Sequence, residues 1–242
     1  MNKKDNIFAM QHEKIDAFKF DKSVVAVFPD MIERSVPGYQ TILSGIGELA
    51  EQFSQPNTNC YDLGCSLGAV SLTMRPRLKK GCKIIAVDTS PTMIERAKEH
   101  IDGFHSDIPV EILCQDMTTL TIENASVIVI NFTLQFIKPE ARQALINTLY
   151  QKITRGGVLI VSEKIHFENT AVQQSIDHLH LQFKRANGYS ELEISQKRSS
   201  LDNVLISDTE QTHLNRFKKA GFNSASIWFQ AYNFVSFLAI KD

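Results

Sequence analysis

The sequence predicts an α/β fold in which a mostly parallel, doubly wound sheet of seven strands ends in an antiparallel hairpin. From residue 60 onward, short runs rich in Val and Ile alternate with helical patterns, which requires crossover connections between parallel strands. Near the carboxyl end, two further strand-like runs lie so close together that a hairpin is expected to join them. One large domain, 1–242, is expected for a chain of 242 residues.

Five predicted strands follow one another in the first part of this alternation. In chain order they are CYDL, KIIAVD, VEILCQD, ASVIVIN and GGVLIVSEK. A helix fits between the second and third strands, where Ser90 is suited to cap it and Pro91 to occupy its first turn. Another helix is predicted to open at Pro139.

Two segments are expected to add to the plain sheet architecture. Residues 1–38 contain FKF and VVAVFPDMI and either cover a site or pack as ordinary helices. Residues 167–203 follow the fifth strand, are helical and polar in pattern, and are longer than a crossover needs, so a helical insertion is predicted. A last helix, capped near Ser207 and stopped by Gly221, precedes the hairpin of SASIWFQAYNF and FVSFLAIK.

Composition and charge exclude several classes of function. A net charge of −1 argues against direct binding to nucleic acid, which needs clustered cations. No run approaches the ~20 apolar residues of a membrane span, and the amino terminus lacks a signal-peptide pattern, so a cytoplasmic protein without membrane association is expected. The four cysteines lack C-x-x-C spacing. His178 and His180 fall on different faces of a helix, so surface histidines and no metal site are expected.

A glycine-containing turn marks the predicted ligand site. The stretch CYDLGCSLGAVSLTM reads as a strand that breaks at Gly64, turns through Ser66 and Gly68, and continues as a helix. That layout is typical of a nucleotide site at the carboxyl edge of a parallel sheet. Ser66 stands where a dinucleotide fingerprint has its middle glycine, and Asp62 precedes the turn. A dinucleotide is therefore disfavoured.

Acidic residues close the next two predicted strands. Asp88 comes 24 residues after Gly64, near the ~20 expected for a carboxylate that binds ribose hydroxyls. The alternative is a turn aspartate before Thr89 and Ser90. Asp116 closes the third strand and is suited to accept from the exocyclic amine of adenine, although a single aspartate at such a position is commonly just part of a turn.

Taken together, Asp62, Gly64, Gly68, Asp88 and Asp116 resemble the S-adenosylmethionine site of Rossmann-like class I methyltransferases, whose first motif has the form D-x-G-x-x-x-G. This ligand has no phosphates but carries a sulfonium and an amino group, so acceptors near the turn suit it better than a phosphate nest does. The fourth strand ends in NFTLQF, without the prolines of the D/N-P-P-Y motif of amine-methylating enzymes. The phenylalanines of NFTLQF are expected in the core.

Four longer segments are similar to signature blocks of the carboxy-S-adenosyl-L-methionine synthase family: VFPDMIERSVPGY, YDLGCSLGAVS, NFTLQFI and FKRANGYSELEISQKRS. The resemblance implies an enzyme that takes a carboxylate from prephenate, releases phenylpyruvate, and installs the carboxylate on the methyl carbon of S-adenosyl-L-methionine without a metal. It also implies a homodimer. The product, carboxy-S-adenosyl-L-methionine, would serve a separate tRNA carboxymethyltransferase that completes a 5-oxyacetyl uridine at the wobble position.

The resemblance also implies a role for individual residues. Gly64, Cys65 and Ser66 would contact the ligand from the turn, and Tyr39 would contact its methionyl end. Asp88 and Thr89 would contact the ribose and adenosine, and Asp116 and Met117 the adenine. Asn131 would lie near the sulfonium, and Arg198, as the catalytic residue, would bind the new carboxylate. Thr89 departs from the Asn that relatives often have, which puts only that contact in question. No side chain stands out as the general base.

Cations in the predicted insertion have two interpretations. Lys184, Arg185, Lys197 and Arg198 would suit an anionic substrate, which the resemblance favours, or would form a solvated helical pair neutralised by Glu191 and Glu193. Three other functions remain open. They are an ordinary S-adenosylmethionine-dependent methyltransferase, a non-catalytic cofactor-binding module, and a nicotinamide oxidoreductase, the last disfavoured by the serine in the glycine turn.

Overall fold

Seven strands form a single sheet in the computed structural model, which describes residues 4–11 and 14–242. In chain order they are β1 Asn59–Leu63, β2 Lys83–Asp88, β3 Val110–Cys114, β4 Ala125–Asn131, β5 Ile153–Lys164, β6 Ser224–Ala231 and β7 Phe234–Ile240. The order across the sheet is β3-β2-β1-β4-β5-β7-β6. Strands β1 to β5 pair in parallel, whereas β7 runs antiparallel to β5 and β6. The predicted doubly wound sheet with its terminal hairpin is confirmed.

Eight α-helices of the described residues accompany the sheet. They are α1 Lys22–Ser35, α2 Tyr39–Phe53, α3 Ala69–Met74, α4 Pro91–Asp102, α5 Pro139–Lys152, α6 Thr170–Ala186, α7 Glu191–Leu201 and α8 Glu210–Ala220. The expected helical insertion after the fifth strand thus consists of α6 and α7. Within the described part of the chain, no helix has both the length and the apolar character needed to cross a bilayer.

Local capping chemistry sets several helix ends. Ser90 caps α4 as predicted, because its Oγ accepts a hydrogen bond from the backbone N–H of Met93. The cap of α8 is Thr209 instead of a residue nearer Ser207, and Gly221 ends that helix with a left-handed φ of 116°. Strand β5 begins three residues earlier than predicted, directly after α5, so no loop separates the two.

Apolar side chains pack on both faces of the sheet. Leu149 of α5 and Phe217 of α8 belong to one cluster, and Ile42 and Ile46 of α2 belong to the other; all four are fully buried. Two covered faces explain why the inner strands are near-continuous runs of Val and Ile. The carboxyl edge of the parallel strands is left for a ligand site.

The amino-terminal segment is tied to α1 and α7. Asp5 is only 1% exposed and accepts a hydrogen bond from the hydroxyl of Tyr189, while Arg34 donates from Nη1 to the Asp5 carbonyl at 3.1 Å. Further along, the backbone N–H of Phe18 donates to the carbonyl of Ser200 at 2.8 Å. These bonds hold the described part of the predicted cover against the helices; residues 1–3 and 12–13 of that cover lie outside the described residues.

Candidate functional site

A cavity of about 630 Å³ opens at the carboxyl edge of the parallel strands, a size typical of small-molecule sites. All predicted site residues except Gly68 and Arg198 line it; those that do are Tyr39, Asp62, Gly64, Cys65, Ser66, Asp88, Thr89, Asp116, Met117 and Asn131. The topology explains this convergence, because β1 and β4 are neighbours at which the strand order reverses.

The glycine turn after β1 has an unusual backbone. Gly64, Ser66 and Gly68 all adopt left-handed φ values, of 86°, 47° and 84°. A Cβ added to Gly64 would lie 2.3 Å from the side chain of Thr133, so only glycine fits there. Gly68 is the residue before α3, and a Cβ there would lie 3.0 Å from Ile101. Gly68 therefore shapes the turn without lining the cavity.

Asp62 combines a structural contact with an unused acceptor. Its Oδ2 accepts from the backbone N–H of Ser71 at 3.0 Å and from the Ser71 hydroxyl at 2.7 Å, which fixes the carboxylate against α3. Its Oδ1 is buried and has no hydrogen-bond partner among the described residues. Burial raises the pKa of this carboxyl to about 6. A cationic group in the cavity would stabilise the charged form.

Asp88 lies at the end of β2 and faces the turn. Its Oδ2 accepts from the backbone N–H of Ser66 and its Oδ1 from that of Ser90, both at 2.9 Å. Burial raises the pKa of the carboxyl despite these bonds. The turn interpretation and the ligand interpretation are therefore compatible: Asp88 holds the loop, and each of its oxygens keeps a further lone pair for ligand hydroxyls.

Beyond β3, Asp116 is exposed and Met117 is buried, and both line the cavity. Asp116 Oδ1 accepts from the backbone N–H and the hydroxyl of Thr118, each at 2.8 Å, as expected for a turn aspartate. Its Oδ2 takes no part in these turn hydrogen bonds. The pair thus offers one carboxylate oxygen and one flexible apolar surface at the same end of the cavity.

The segment after β4 is held by a buried carboxylate that the sequence did not single out. Glu163 of β5 accepts from the backbone N–H groups of Leu134 and Gln135 at 2.8 and 2.9 Å. Burial raises the pKa of Glu163 to about 8. Asn131 precedes this segment at the end of β4, where it pairs with Ser162 of β5, and its Oδ1 is buried without a partner in the described part of the chain. Asn131 is therefore ready to accept a hydrogen bond from a ligand.

Tyr39 begins α2 and is 8% exposed, at the wall of the cavity. Its hydroxyl has no hydrogen-bond partner within residues 4–11 and 14–242. Burial, with the nearby charges of Asp62 and Glu33, holds the pKa of the hydroxyl well above its usual value. The tyrosine is a neutral group that can still donate and accept one hydrogen bond toward a ligand.

Aromatic side chains cover the site from the amino-terminal segment. Phe18, Phe20 and Phe28 line the cavity, and the ring of Phe20 lies edge-on to Phe136 with centroids 5.5 Å apart. The expectation of a core position is confirmed for Phe132, which is buried in the cluster around α2 and also contributes to the cavity wall, whereas Phe136 is only partly buried and lines the cavity. Such a cover limits the access of water.

Basic groups line the other side of the cavity. Lys164, His180, Lys184 and Lys197 all contribute to its wall. Sequence reasoning proposed Lys184 and Lys197 but missed Lys164. The expectation of a surface position is wrong for His180, which is 7% exposed, donates from Nε2 to the Ser35 carbonyl at 2.9 Å, and packs against Phe234.

The two arginines of α6 and α7, Arg185 and Arg198, do not line the cavity. Arg185 pairs with Glu191, as in the alternative of a neutralised helical surface. Arg198 is exposed and does not line the cavity in a single chain. Its positive charge nevertheless helps to lower the pKa values of Lys164 and Lys184. Arg198 therefore lies near the basic wall without forming it.

Charge changes sign along the carboxyl edge of the sheet. Asp116 follows β3, Asp88 ends β2 and Asp62 lies one residue before the end of β1, whereas the amide of Asn131 ends β4 and Lys164 ends β5. In sheet order the series is three carboxylates, one amide and one ammonium. One cavity thus offers an acceptor-rich half to a cationic group and a basic half to an anion. The described residues contain no cluster of His, Cys, Asp and Glu suited to a metal ion.

Comparison with known proteins identifies this fold. A family model of a methyltransferase domain matches residues 61–157. Solved structures with the same fold include a magnesium protoporphyrin IX methyltransferase from Synechocystis with bound SAH, at a TM-score of 0.61 and 15% identity over 88% of this chain and 87% of that one. Another is a putative S-adenosyl-L-methionine-dependent methyltransferase from Methanococcus maripaludis. Its TM-score is 0.59, and it is 22% identical over 96% of this chain and 98% of its own.

Sequence relatives identify the family more narrowly. A carboxy-S-adenosyl-L-methionine synthase of Hydrogenovibrio crunogenus is 69% identical over 98% of this chain and 95% of its own length. One of Psychromonas ingrahamii is 54% identical over the whole of both chains. The predicted resemblance to this family is confirmed, and the chain belongs to the carboxy-S-adenosyl-L-methionine synthase family.

Proposed function

We propose that the protein is a transferase that converts S-adenosyl-L-methionine and prephenate to carboxy-S-adenosyl-L-methionine and phenylpyruvate. The observation that carries the proposal is the reversal of charge within one cavity, which suits a cationic sulfonium ligand beside an acidic co-substrate. A plain methyl transfer to a neutral acceptor gives no reason for the basic half.

The residues of the acceptor-rich half fit S-adenosyl-L-methionine. Buried Oδ1 atoms of Asp62 and Asn131 lack partners among the described residues, so each has an acceptor for the amino group or the region of the sulfonium. Asp88 would hold the ribose hydroxyls and, with Thr89, the adenosine side. Asp116 and Met117 would contact the adenine, as the resemblance implies. Gly64 lines the cavity without a side chain, so its backbone can approach the ligand closely.

Bound S-adenosyl-L-methionine supplies an activated methyl carbon that accepts the carboxyl group. The bond between the prephenate ring and its carboxyl group breaks, and the carboxyl group replaces one proton on the methyl carbon. The ring hydroxyl leaves as hydroxide and combines with that methyl proton to form water. The residues of the chain position the two ligands and exclude water. Phe20 and Phe136 form part of the enclosure, which strengthens the interaction of fixed dipoles and charges with the reacting groups.

Arg198 remains the proposed partner of the newly installed carboxylate. Its guanidinium is exposed in a single chain, and its charge acts on Lys164 and Lys184 at the basic half. The planar fork of arginine suits bidentate contact with a carboxylate. In this proposal, Arg198 distinguishes the carboxylated ligand from S-adenosyl-L-methionine.

The proposal extends to the setting of the reaction. We infer a homodimer in the cytoplasm whose product passes to a separate tRNA carboxymethyltransferase for 5-oxyacetyl uridine formation at the wobble position. A net charge of −1 supports an indirect link to RNA over direct binding by this chain.

Mass spectrometry of the nucleosides tests the proposed reaction. The purified protein is incubated with S-adenosyl-L-methionine, with and without prephenate. A species heavier by one carboxyl group, formed only with prephenate and together with phenylpyruvate, is the expected result. S-adenosylhomocysteine formed with a methyl acceptor would indicate an ordinary methyltransferase, and bound but unreacted S-adenosyl-L-methionine would indicate a binding module.

A further inference from the structure

Three lysine side chains converge on the cavity from three separate elements. Lys164 ends β5, Lys184 lies in the last turns of α6, and Lys197 lies on α7. Burial lowers the pKa of each, and their proximity adds to the effect: Lys197 and Lys164 both help to lower the pKa of Lys184 to about 7. Three lysines from three elements therefore concentrate titratable positive charge at one wall of the cavity.

Only Lys197 of these three lysines has its positive charge compensated by a partner in the described part of the chain. Lys197 donates to the hydroxyl of Ser35 at 3.0 Å and lies 3.7 Å from the carboxylate of Asp5, so its position has a structural explanation. Lys164 and Lys184 use only their backbones: the Lys164 N–H donates to Gln135 Oε1, and the Lys184 carbonyl accepts from the Tyr189 N–H. Their ammonium groups make neither an ion pair nor a hydrogen bond within the described part of the chain. The charge of Asp177 acts on Lys164 but does not pair with it.

The histidine of the same wall does not supply a counter-charge. Burial lowers the pKa of His180 to about 3, and its ring is neutral at physiological pH. Lys164 and Lys184 are partly buried, and a partly desolvated cation without a partner is unfavourable to the folded state, more so when a second cation lies nearby. An anion held between Lys164 and Lys184 removes this cost, since it supplies the missing charge and acceptors for the ammonium protons.

We propose that Lys164 and Lys184 form an anion subsite that holds a carboxylate of the acidic co-substrate, an inference that rests on the proposed function. The subsite lies on the β5 side of Asn131, opposite the aspartates of β1 to β3. Positioning by two ammonium groups sets the co-substrate beside the methyl-bearing ligand. Lys164 and Lys184 are thus residues that bind and orient the co-substrate, and Lys197 supports the wall behind them.

This role makes a prediction that a purely structural role does not. If the lysines stabilised the fold, their replacement by a neutral side chain would lower the melting temperature of the ligand-free protein. If they are held for a ligand, replacement by Met, which keeps most of the volume, removes an uncompensated charge and leaves the melting temperature equal or higher.

Lys184→Met and Lys164→Met test the inference in the full-length protein, with Arg185→Gln as the matched control. Arg185 is the next residue on the same helix, carries the same charge, and pairs with Glu191 outside the cavity. Initial rates of carboxy-S-adenosyl-L-methionine formation are measured against prephenate concentration at saturating S-adenosyl-L-methionine. Calorimetry measures the Kd of S-adenosyl-L-methionine, and the melting temperature is recorded without ligand.

In both Met variants the KM for prephenate is expected to rise about 10- to 100-fold, the worth of a hydrogen bond to a charged group. The Kd of S-adenosyl-L-methionine and the melting temperature should not worsen, and Arg185→Gln should match the wild type. An unchanged KM in an active enzyme would overturn the subsite while the proposed function stands. A lower melting temperature with weaker S-adenosyl-L-methionine binding would assign a structural role instead.

A second arm separates the subsite from the reaction. If the wild type forms no product, calorimetry with prephenate alone still measures the anion subsite. Binding to the wild type that is lost in Lys184→Met would support the subsite and reject the reaction. Absence of prephenate binding to the wild type would overturn both.

Discussion

Replacement of Gly64 by Ala tests the geometry of the turn on which the site depends. Gly64 has a φ of +86°, and an added Cβ would lie 2.3 Å from Cγ2 and Oγ1 of Thr133 and 2.7 Å from its Cβ. Rotation of the threonine side chain does not move its Cβ, so part of the collision must be relieved by backbone movement. The perturbation therefore adds strain at the turn and overpacking against the segment after β4.

The two contributions have separate magnitudes. A left-handed backbone costs an L-residue roughly 1–2 kcal/mol. Overpacking of a well-packed site typically costs about 1–3 kcal/mol more. Gly64→Ala should therefore lower the free energy of unfolding by about 2–5 kcal/mol, a large part of the stability of a typical domain.

Gly156→Ala provides a matched control. Gly156 has a similar φ of +75°, but the nearest atom to an added Cβ is Nε2 of Gln55 at 3.5 Å, an ordinary contact. Gly156→Ala should therefore lower the free energy of unfolding by only about 1–2 kcal/mol, the contribution of the left-handed backbone. Urea unfolding of both variants measures the difference. Equal losses would refute the claim that Thr133 restricts residue 64 to glycine.

Three further predictions concern the ligand contacts. Asp88→Ala should abolish binding of both S-adenosyl-L-methionine and its carboxylated form in calorimetry; unchanged affinity would mean that the ribose is held elsewhere. Because the pKa of Asp62 is raised to about 6, its carboxylate is charged only above that pH, so S-adenosyl-L-methionine should bind more weakly as the pH falls through about 6. Calorimetry from pH ~5 to ~8 should show this dependence in the wild type and its absence in Asp62→Asn; a flat wild-type profile would argue against a role for this charge. Arg198→Ala should weaken binding of the carboxylated ligand by about 1.5–3 kcal/mol with little effect on S-adenosyl-L-methionine, and equal losses would contradict its proposed role.

Much of the sheet could be predicted from the sequence because its signals are local. Runs of Val and Ile mark strands that are buried on both faces, and the residue that follows such a run must lie at the edge of the sheet. Asp88 and Asp116 could therefore be assigned to neighbouring strand ends without knowledge of their contacts. The glycine turn was equally visible, since Gly64 and Gly68 adopt conformations that other residues rarely reach.

The basic half of the cavity was harder to predict because its members come from different elements. Lys164 ends a strand that was recognised, but nothing in its neighbourhood indicates that the side chain faces the same cavity as Lys184. For α6, the polar pattern does not show which face turns inward, so His180 was wrongly expected at the surface. Likewise, Lys184 and Arg185 are adjacent in sequence, yet only the lysine lines the cavity. Tertiary packing of α6 against α1 and β7 decides these positions.

Transfer of a label from prephenate tests the central claim most directly. Prephenate carrying an isotopic label in the carboxyl group attached to the ring is incubated with the protein and unlabelled S-adenosyl-L-methionine, and the nucleoside product is examined by mass spectrometry. The account predicts that the label appears in carboxy-S-adenosyl-L-methionine in step with the release of unlabelled phenylpyruvate. A product without the label, or label recovered only as carbon dioxide while S-adenosyl-L-methionine stays intact, would contradict it.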